Sequence, residues 1–121
     1  MENIILGKLG EEIALSYLKK LNYKIIDKNF RKKFGEIDII AKSPKGILIF
    51  FEVKTLQQKN NGLLPEDEMT QAKIKKLKKI CEYFALKNQN LINQAGWRID
   101  LLAITIKNNN EYLINHYENI F

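Results

Sequence analysis

The sequence predicts a single α/β domain, and three observations carry that prediction. Apolar residues recur at helical spacing near the start of the chain and again between residues 66 and 87. Between those stretches two short runs rich in Ile, Phe and Val, residues 36–42 and 47–54, are joined by Ser43-Pro44-Lys45-Gly46. The chain is 121 residues long and 45% hydrophobic, enough for one modest core spanning 1–121 and no linker.

Taken in order, residues 4–21 place Leu9, Ile13, Tyr17, Leu18 and Leu21 on one side of a helix, and Asn22 supplies the stop. Tyr23 to Phe30 reads as a first strand, followed by a basic turn from Asn29 to Gly35 that carries Arg31, Lys32 and Lys33. The two Ile/Phe/Val runs are too short and too β-branched for helices, and they form a hairpin. Pro44 has the fixed φ of the first position of a type I turn, while Gly46 can take the left-handed conformation that closes a three-residue loop. Residues 55–65 are polar and read as a long surface loop. A second helix is expected from Glu66 to about Lys87, with Glu66, Asp67 and Glu68 complementing the dipole at its start. Its apolar face carries Ile74, Leu77, Ile80, Cys81 and Phe84. Residues 97–106 and 111–117 flank Asn108-Asn109-Asn110 and read as two last strands.

The hairpin concentrates the chemistry. If Pro44, Lys45 and Gly46 form the loop, Ser43 faces Ile47, and the same register sets Asp38 opposite Glu52 and Glu36 opposite Lys54. Strand side chains alternate, so these four share one face, while Ile37, Ile39, Ile49, Phe51 and Val53 take the other. Directly opposed Cβ atoms lie roughly 4.5–5.5 Å apart, so two carboxylates there can share one cation. Mg²⁺ suits a few carboxylates plus water, and it can activate water and offset charge on a phosphate. Lys54 stands two residues beyond Glu52 on the same face. Spacing alone leaves a second reading open, a cross-strand salt-bridge ladder on a solvated sheet edge.

Charge points to the same class of partner. Twenty Lys and Arg against fourteen Asp and Glu give a net charge of +6, which favours a polyanion, although Lys and Asn are abundant throughout the chain. Lys73 and Lys76, with Lys75, Lys78 and Lys79, make the second helix basic. The one cysteine, Cys81, excludes an internal disulfide and reads as a packing residue. No signal segment or membrane-length apolar run is present, so a cytoplasmic protein that does not enter membranes is expected. His116 reads as a structural histidine and Trp97 as core; for Tyr23, Phe30 and Phe34, burial outweighs base stacking.

Across nearly the whole chain the residues resemble one family. Gly10-Glu11 with Ala14 and Tyr17-Leu18, then Gly35-Glu36-Ile37-Asp38, then Phe51-Glu52-Val53-Lys54-Thr55 are similar to the YraN-like family of predicted endonucleases. Met69-Thr70 with Lys73, the run Arg98-Ile99-Asp100-Leu101-Leu102-Ala103-Ile104, and the ending His116-Tyr117-Glu118-Asn119-Ile120-Phe121 extend the likeness. That family is similar to the restriction-endonuclease-like superfamily and to archaeal Holliday-junction resolvases. The resemblance implies an α/β restriction-endonuclease-like core: a mixed central sheet with an antiparallel β-meander, flanked by helices in the order α-β-β-β-α-β-β.

The resemblance also implies roles. Asp38 and Glu52 become metal ligands for Mg²⁺ or Mn²⁺, Lys54 the catalytic lysine, and Glu11 a helix carboxylate approaching the same site. Read without the family, Glu11 is an exposed first-turn carboxylate. Many relatives carry Arg two residues after the lysine, where this chain has Leu56. The expected activity is metal-dependent phosphodiester hydrolysis on DNA, branched or damaged DNA included. Arg31, Lys32, Lys33, Lys73 and Lys76 are the expected nucleic-acid contacts, and a homodimer is left open. The alternative is a nucleic-acid-binding module that keeps the nuclease fold without cleaving.

Overall fold

A computed structural model describes residues 2–59 and 62–121, so residues 60–61 of the expected 55–65 loop lie outside the described residues. Helix α1 spans Asn3–Lys20; strands β1, β2 and β3 span Lys24–Lys32, Gly35–Lys42 and Leu48–Gln57. A 3₁₀ turn, Pro65–Glu68, leads to helix α2, Gln71–Lys87, and a second short turn, Gln89–Leu91, to β4, Trp97–Ile106, and β5, Tyr112–Tyr117. The five strands lie side by side in chain order. β1, β2 and β3 form an antiparallel meander, β3 and β4 run parallel, and β5 returns antiparallel to β4. The parallel pair requires a crossover, and α2 with its preceding turn provides it. This is the expected α-β-β-β-α-β-β core with a mixed sheet.

Each helix covers one sheet face. Ile39, Ala41, Ile49, Phe51, Leu102 and Ile104 pack with Leu6, Ala14 and Leu18 of α1. Ile40, Leu48, Phe50 and Ile99 pack with Leu77, Ile80, Cys81 and Phe84 of α2. The central strands are apolar toward both layers, which explains their near-continuous Ile/Phe runs. On α1 the buried line is Leu6-Gly10-Ala14-Leu18. Leu9, Ile13 and Tyr17 flank it, and Leu21 lies beyond the helix, 45% exposed. The periodicity of large side chains missed that line because two of its members are Gly and Ala. A Cβ at Gly10 would stand 1.8 Å from Thr55 Oγ1, so only glycine allows α1 to lie this close to β3.

The hairpin register is the expected one: Lys42 faces Leu48 and Ile39 faces Phe51, with Ser43 N–H donating to the Ile47 carbonyl at 2.9 Å. Gly46 has φ 83°, the left-handed value the tight bend demands.

Several boundaries differ from expectation. Residues 55–57 are strand rather than loop, because the parallel partner β4 continues their hydrogen bonding to Gln57↔Ile106. The acidic run Glu66-Asp67-Glu68 belongs to the 3₁₀ turn; α2 starts only at Gln71, where the Thr70 hydroxyl caps it by accepting from Lys73 N–H at 3.2 Å. Arg31 and Lys32 lie within β1 rather than in a loop, since β1 stays paired with β2 to Lys32↔Gly35.

Candidate functional site

The site forms where the sheet comes apart. The β2–β3 ladder ends at Ile39↔Phe51, and the β1–β2 ladder passes from Lys28↔Ile39 to Phe30↔Ile37 without pairing Asn29 and Asp38. Asn29 there takes φ 54°, outside the extended region. This break also corrects the expected alternation: Ile37 packs with the α2 layer rather than with Ile39. Asp38 uses its side chain in place of the ladder, its Oδ2 accepting from Val53 N–H at 2.8 Å.

Asp38 and Glu52, one position beyond the last pair of that ladder, share a side-chain hydrogen bond. Burial pushes the Asp38 carboxyl up to about 6, against the Val53 N–H that favours its ionised form; Glu36 and Glu11 add to the rise. Glu52 is raised to about 8, first by burial and then by the charge of Asp38, with Lys54 opposing. Two carboxyls in this state hold a proton between them near neutral pH. Lys54 Nζ lies 3.8 Å from Glu52 Oε1, and on its other side 3.9 Å from Glu68 Oε2. Asp38 and Glu52 are half-buried, and their mutual contact is carboxyl to carboxyl rather than an ion pair.

Glu36 does not face Lys54 across a ladder, because pairing has stopped by then. It is held by Arg31, with an Arg31 Nη2 to Glu36 Oε2 distance of 2.6 Å. Glu11 lies in the middle of α1, not in its first turn, and its Oε1 accepts from Asn29 Nδ2 at 2.8 Å. It is close enough to act on Asp38 through its charge.

Glu52 and Lys54 open into a cleft of about 420 Å³. Arg31, Lys32 and Lys33 form one wall, and Lys73 and Lys76 of α2 the other. All five expected basic contacts therefore line the same cleft as Glu52 and Lys54. Two participants were not anticipated. From the sequence Glu68 reads as part of a helix start and Asn29 as part of a turn; an Asn, which tolerates the left-handed conformation, is the one signal at position 29.

Among the described residues no group of three or more His, Cys, Asp and Glu is arranged to hold a metal. Asp38 and Glu52 are two carboxyls in direct contact. That set fits Mg²⁺ or Mn²⁺ bound through two carboxylates with most of its water shell retained, and not a closed all-protein site.

Away from the cleft, Asp100 is fully buried and neutralised. It accepts from Arg98 Nε at 2.9 Å, from His116 Nε2 at 2.8 Å and from Asn119 N–H at 3.0 Å. Burial alone would raise its pKa, but those hydrogen bonds outweigh it and hold the carboxyl below its ordinary value. His116 Nδ1 bonds the Tyr17 hydroxyl at 3.1 Å, which makes it a structural histidine tying β5 to α1 and β4. Cys81 is buried, and its thiol is pushed up by burial and by nearby Glu52. Trp97 packs edge-on against Phe50 in the α2 layer. No helix among the described residues is long and apolar enough to cross a membrane.

Comparison with known proteins adds a family. A UPF0102 protein of Thermodesulfovibrio yellowstonii is 42% identical over 121 residues, covering 100% of this chain and 99% of the relative. One from Caldicellulosiruptor saccharolyticus is 39% identical, covering 96% of each. A solved structure of Pyrococcus furiosus SfsA in complex with Ca²⁺ aligns with a TM-score of 0.41 and 17% identity, over 97% of this chain and 64% of that one, a likeness too distant to bear on chemistry. Residues 10–104 match the model of the family described as Uncharacterised protein family UPF0102, and the chain belongs to that family, the YraN-like family.

Proposed function

We propose that the cleft binds a nucleic-acid strand, DNA in the first instance, and that Asp38 and Glu52 hold Mg²⁺ or Mn²⁺ beside Lys54 for hydrolysis of a phosphodiester bond. One arrangement carries the reading: Glu52, hydrogen-bonded to Asp38 and 3.8 Å from the Lys54 ammonium, lines a cleft together with five basic side chains. A divalent cation bound there would supply Lewis acidity, making water a better nucleophile and offsetting charge on the phosphate. Asp38 and Glu52 would hold that cation in their ionised forms. Lys54, beside Glu52, would orient a water or stabilise a phosphoryl oxygen. Arg31, Lys32 and Lys33 on one wall and Lys73 and Lys76 on the other neutralise flanking phosphates and set the strand's register.

A second reading, binding without cleavage, is favoured by one arrangement: Glu36 is drawn to Arg31 and Glu11 to Asn29, leaving two carboxyls rather than three at the centre. One experiment separates them. Linear duplex, single-stranded, flap and four-way-junction DNA are incubated with protein, with and without Mg²⁺ or Mn²⁺, beside Asp38→Asn and Lys54→Ala. Hydrolysis predicts metal-dependent products that both variants lose. Salt-sensitive binding with no products supports the binding module, and variants that cut as well as wild type sink the catalytic assignment.

A further inference from the structure

A line of aromatic rings runs outward from the core to the rim of the cleft. Phe50, fully buried, meets Phe84 edge-on at 5.7 Å, and Phe84 meets Phe30 at 5.0 Å. Phe30 lies 6.5 Å from Tyr83, and Tyr83 stands edge-on to Phe34 at 5.3 Å. Phe34 ends the line at the tip of the β1–β2 hairpin and is 44% exposed, against the expectation of burial. Its neighbours Lys33 and Gly35 line the cleft itself.

An exposed ring at a loop tip costs solvation, yet this one is braced from behind by Tyr83 and so is fixed in orientation. The cations nearby sit on the inner rings. Lys32 Nζ is 5.5 Å from the centre of Phe30 and 5.8 Å from that of Tyr83, and Lys87 Nζ is 5.9 Å from Tyr83. Among the described residues no lysine is seated over Phe34. A preorganised apolar ring flanked by ammonium groups complements one kind of ligand unit, a flat base attached to a phosphate. A paired base in a duplex keeps its faces covered by its neighbours, so the ring selects an unpaired one.

We infer that Phe34, braced by Tyr83, is a stacking platform for an unpaired base of the strand whose phosphates lie in the cleft, so that the ligand is single-stranded or locally unpaired nucleic acid. The inference rests on the proposed function for the strand's position and deepens it by naming the substrate class. A strand with unpaired bases lays one base on Phe34 while the adjoining phosphate meets Lys33 and Lys32. Base stacking on an aromatic is tolerant of sequence, so this contact selects strand state rather than base identity.

The test is equilibrium binding by fluorescence anisotropy, without divalent metal. The probes are a 12-nucleotide single-stranded DNA, the RNA of the same sequence and a blunt DNA duplex, each with the full chain, Phe34→Ala, Phe34→Trp and the double variant Lys73→Ala, Lys76→Ala. Phe34→Ala should lose about tenfold or more in affinity for the single strands and little for the duplex. Phe34→Trp should restore it, with an unchanged melting temperature showing an intact fold. Preference between the DNA and RNA strands identifies the backbone and supports the inference either way. Equal losses on duplex and single strand, or none, overturn the platform; the double lysine variant still weakening all three probes would then leave the cleft reading standing. If wild type binds none of the probes, both readings fall.

Discussion

Asp38 and Glu52 exchange a side-chain hydrogen bond at the first position beyond the end of the ladder that joins their strands. Backbone pairing positions the two residues, and its end leaves room for their side chains to meet. Both carboxyls resist ionisation in the folded protein and ionise readily in the unfolded chain, near pH 4.

Their pH dependence follows in sign. A raised folded pKa means the native state binds more protons than the unfolded state, so stability falls as pH rises. The loss begins above the ordinary carboxylate range and levels off above about 8, the value for Glu52. Without divalent metal, unfolding free energy should drop by roughly 2–4 kcal/mol between pH 5 and pH 9. Urea denaturation across that range checks it; a flat or rising curve contradicts the pair's shared proton.

Asp38→Asn removes the repulsion while keeping an oxygen that can accept from Val53 N–H. Its melting temperature at pH 8–9 should equal or exceed that of wild type, and the difference should shrink toward pH 5. Manganese titrations should stabilise wild type and not the variant, and EDTA should reverse the wild-type gain. A several-degree loss at pH 8, or equal stabilisation by Mn²⁺, would show that Asp38 serves packing and not a cation.

What could be read from the sequence divides along physical lines. The turn at Pro44-Lys45-Gly46 fixed the hairpin register because its loop length allows few geometries, and that register brought Asp38 to Glu52. The basic walls were legible as residues, although their convergence depends on a crossover that no local pattern encodes. The expected Glu36–Lys54 pairing fails because the β2–β3 ladder ends at Ile39↔Phe51. Residues 55–57 look like loop because Thr55 and Gln57 are polar and the parallel partners that make them strand, Ile104 to Ile106, lie far ahead in the chain. The Leu6-Gly10-Ala14-Leu18 stripe was hidden for the opposite reason: its small members matter for distance, not hydrophobicity.

Asp100 tests the other half of the molecule. With no solvent exposure, it neutralises Arg98 and anchors His116 and the Asn119 backbone, so removing its charge strands its donors. Asp100→Ala should cost about 3–5 kcal/mol, seen as a large fall in melting temperature, with His116→Ala losing less. Because its folded pKa is depressed, Asp100 contributes stability above pH 4 that disappears as pH falls below that value. A variant within 1 kcal/mol of wild type would mean the network is not holding β5 and the C-terminal segment in place.

Gly10→Ala sets two effects against each other. Alanine favours a helix interior over glycine by about 1 kcal/mol, so on an exposed surface the change would stabilise α1. Here the new Cβ would meet Thr55 Oγ1 at 1.8 Å and Thr55 Cβ at 2.8 Å, distances that no rotamer of a β-branched residue relieves. Either α1 shifts outward or β3 does, and overpacking of this kind typically costs about 1–3 kcal/mol or more. The net expectation is a lower melting temperature, partly recovered by Thr55→Ala, which removes the hydroxyl and methyl but leaves the Cβ. Since Glu11 and Lys54 adjoin the two contact residues, the same shift should weaken Mn²⁺ binding even in protein that remains folded. Unchanged stability together with unchanged metal affinity would show that the close approach of α1 has no bearing on the site.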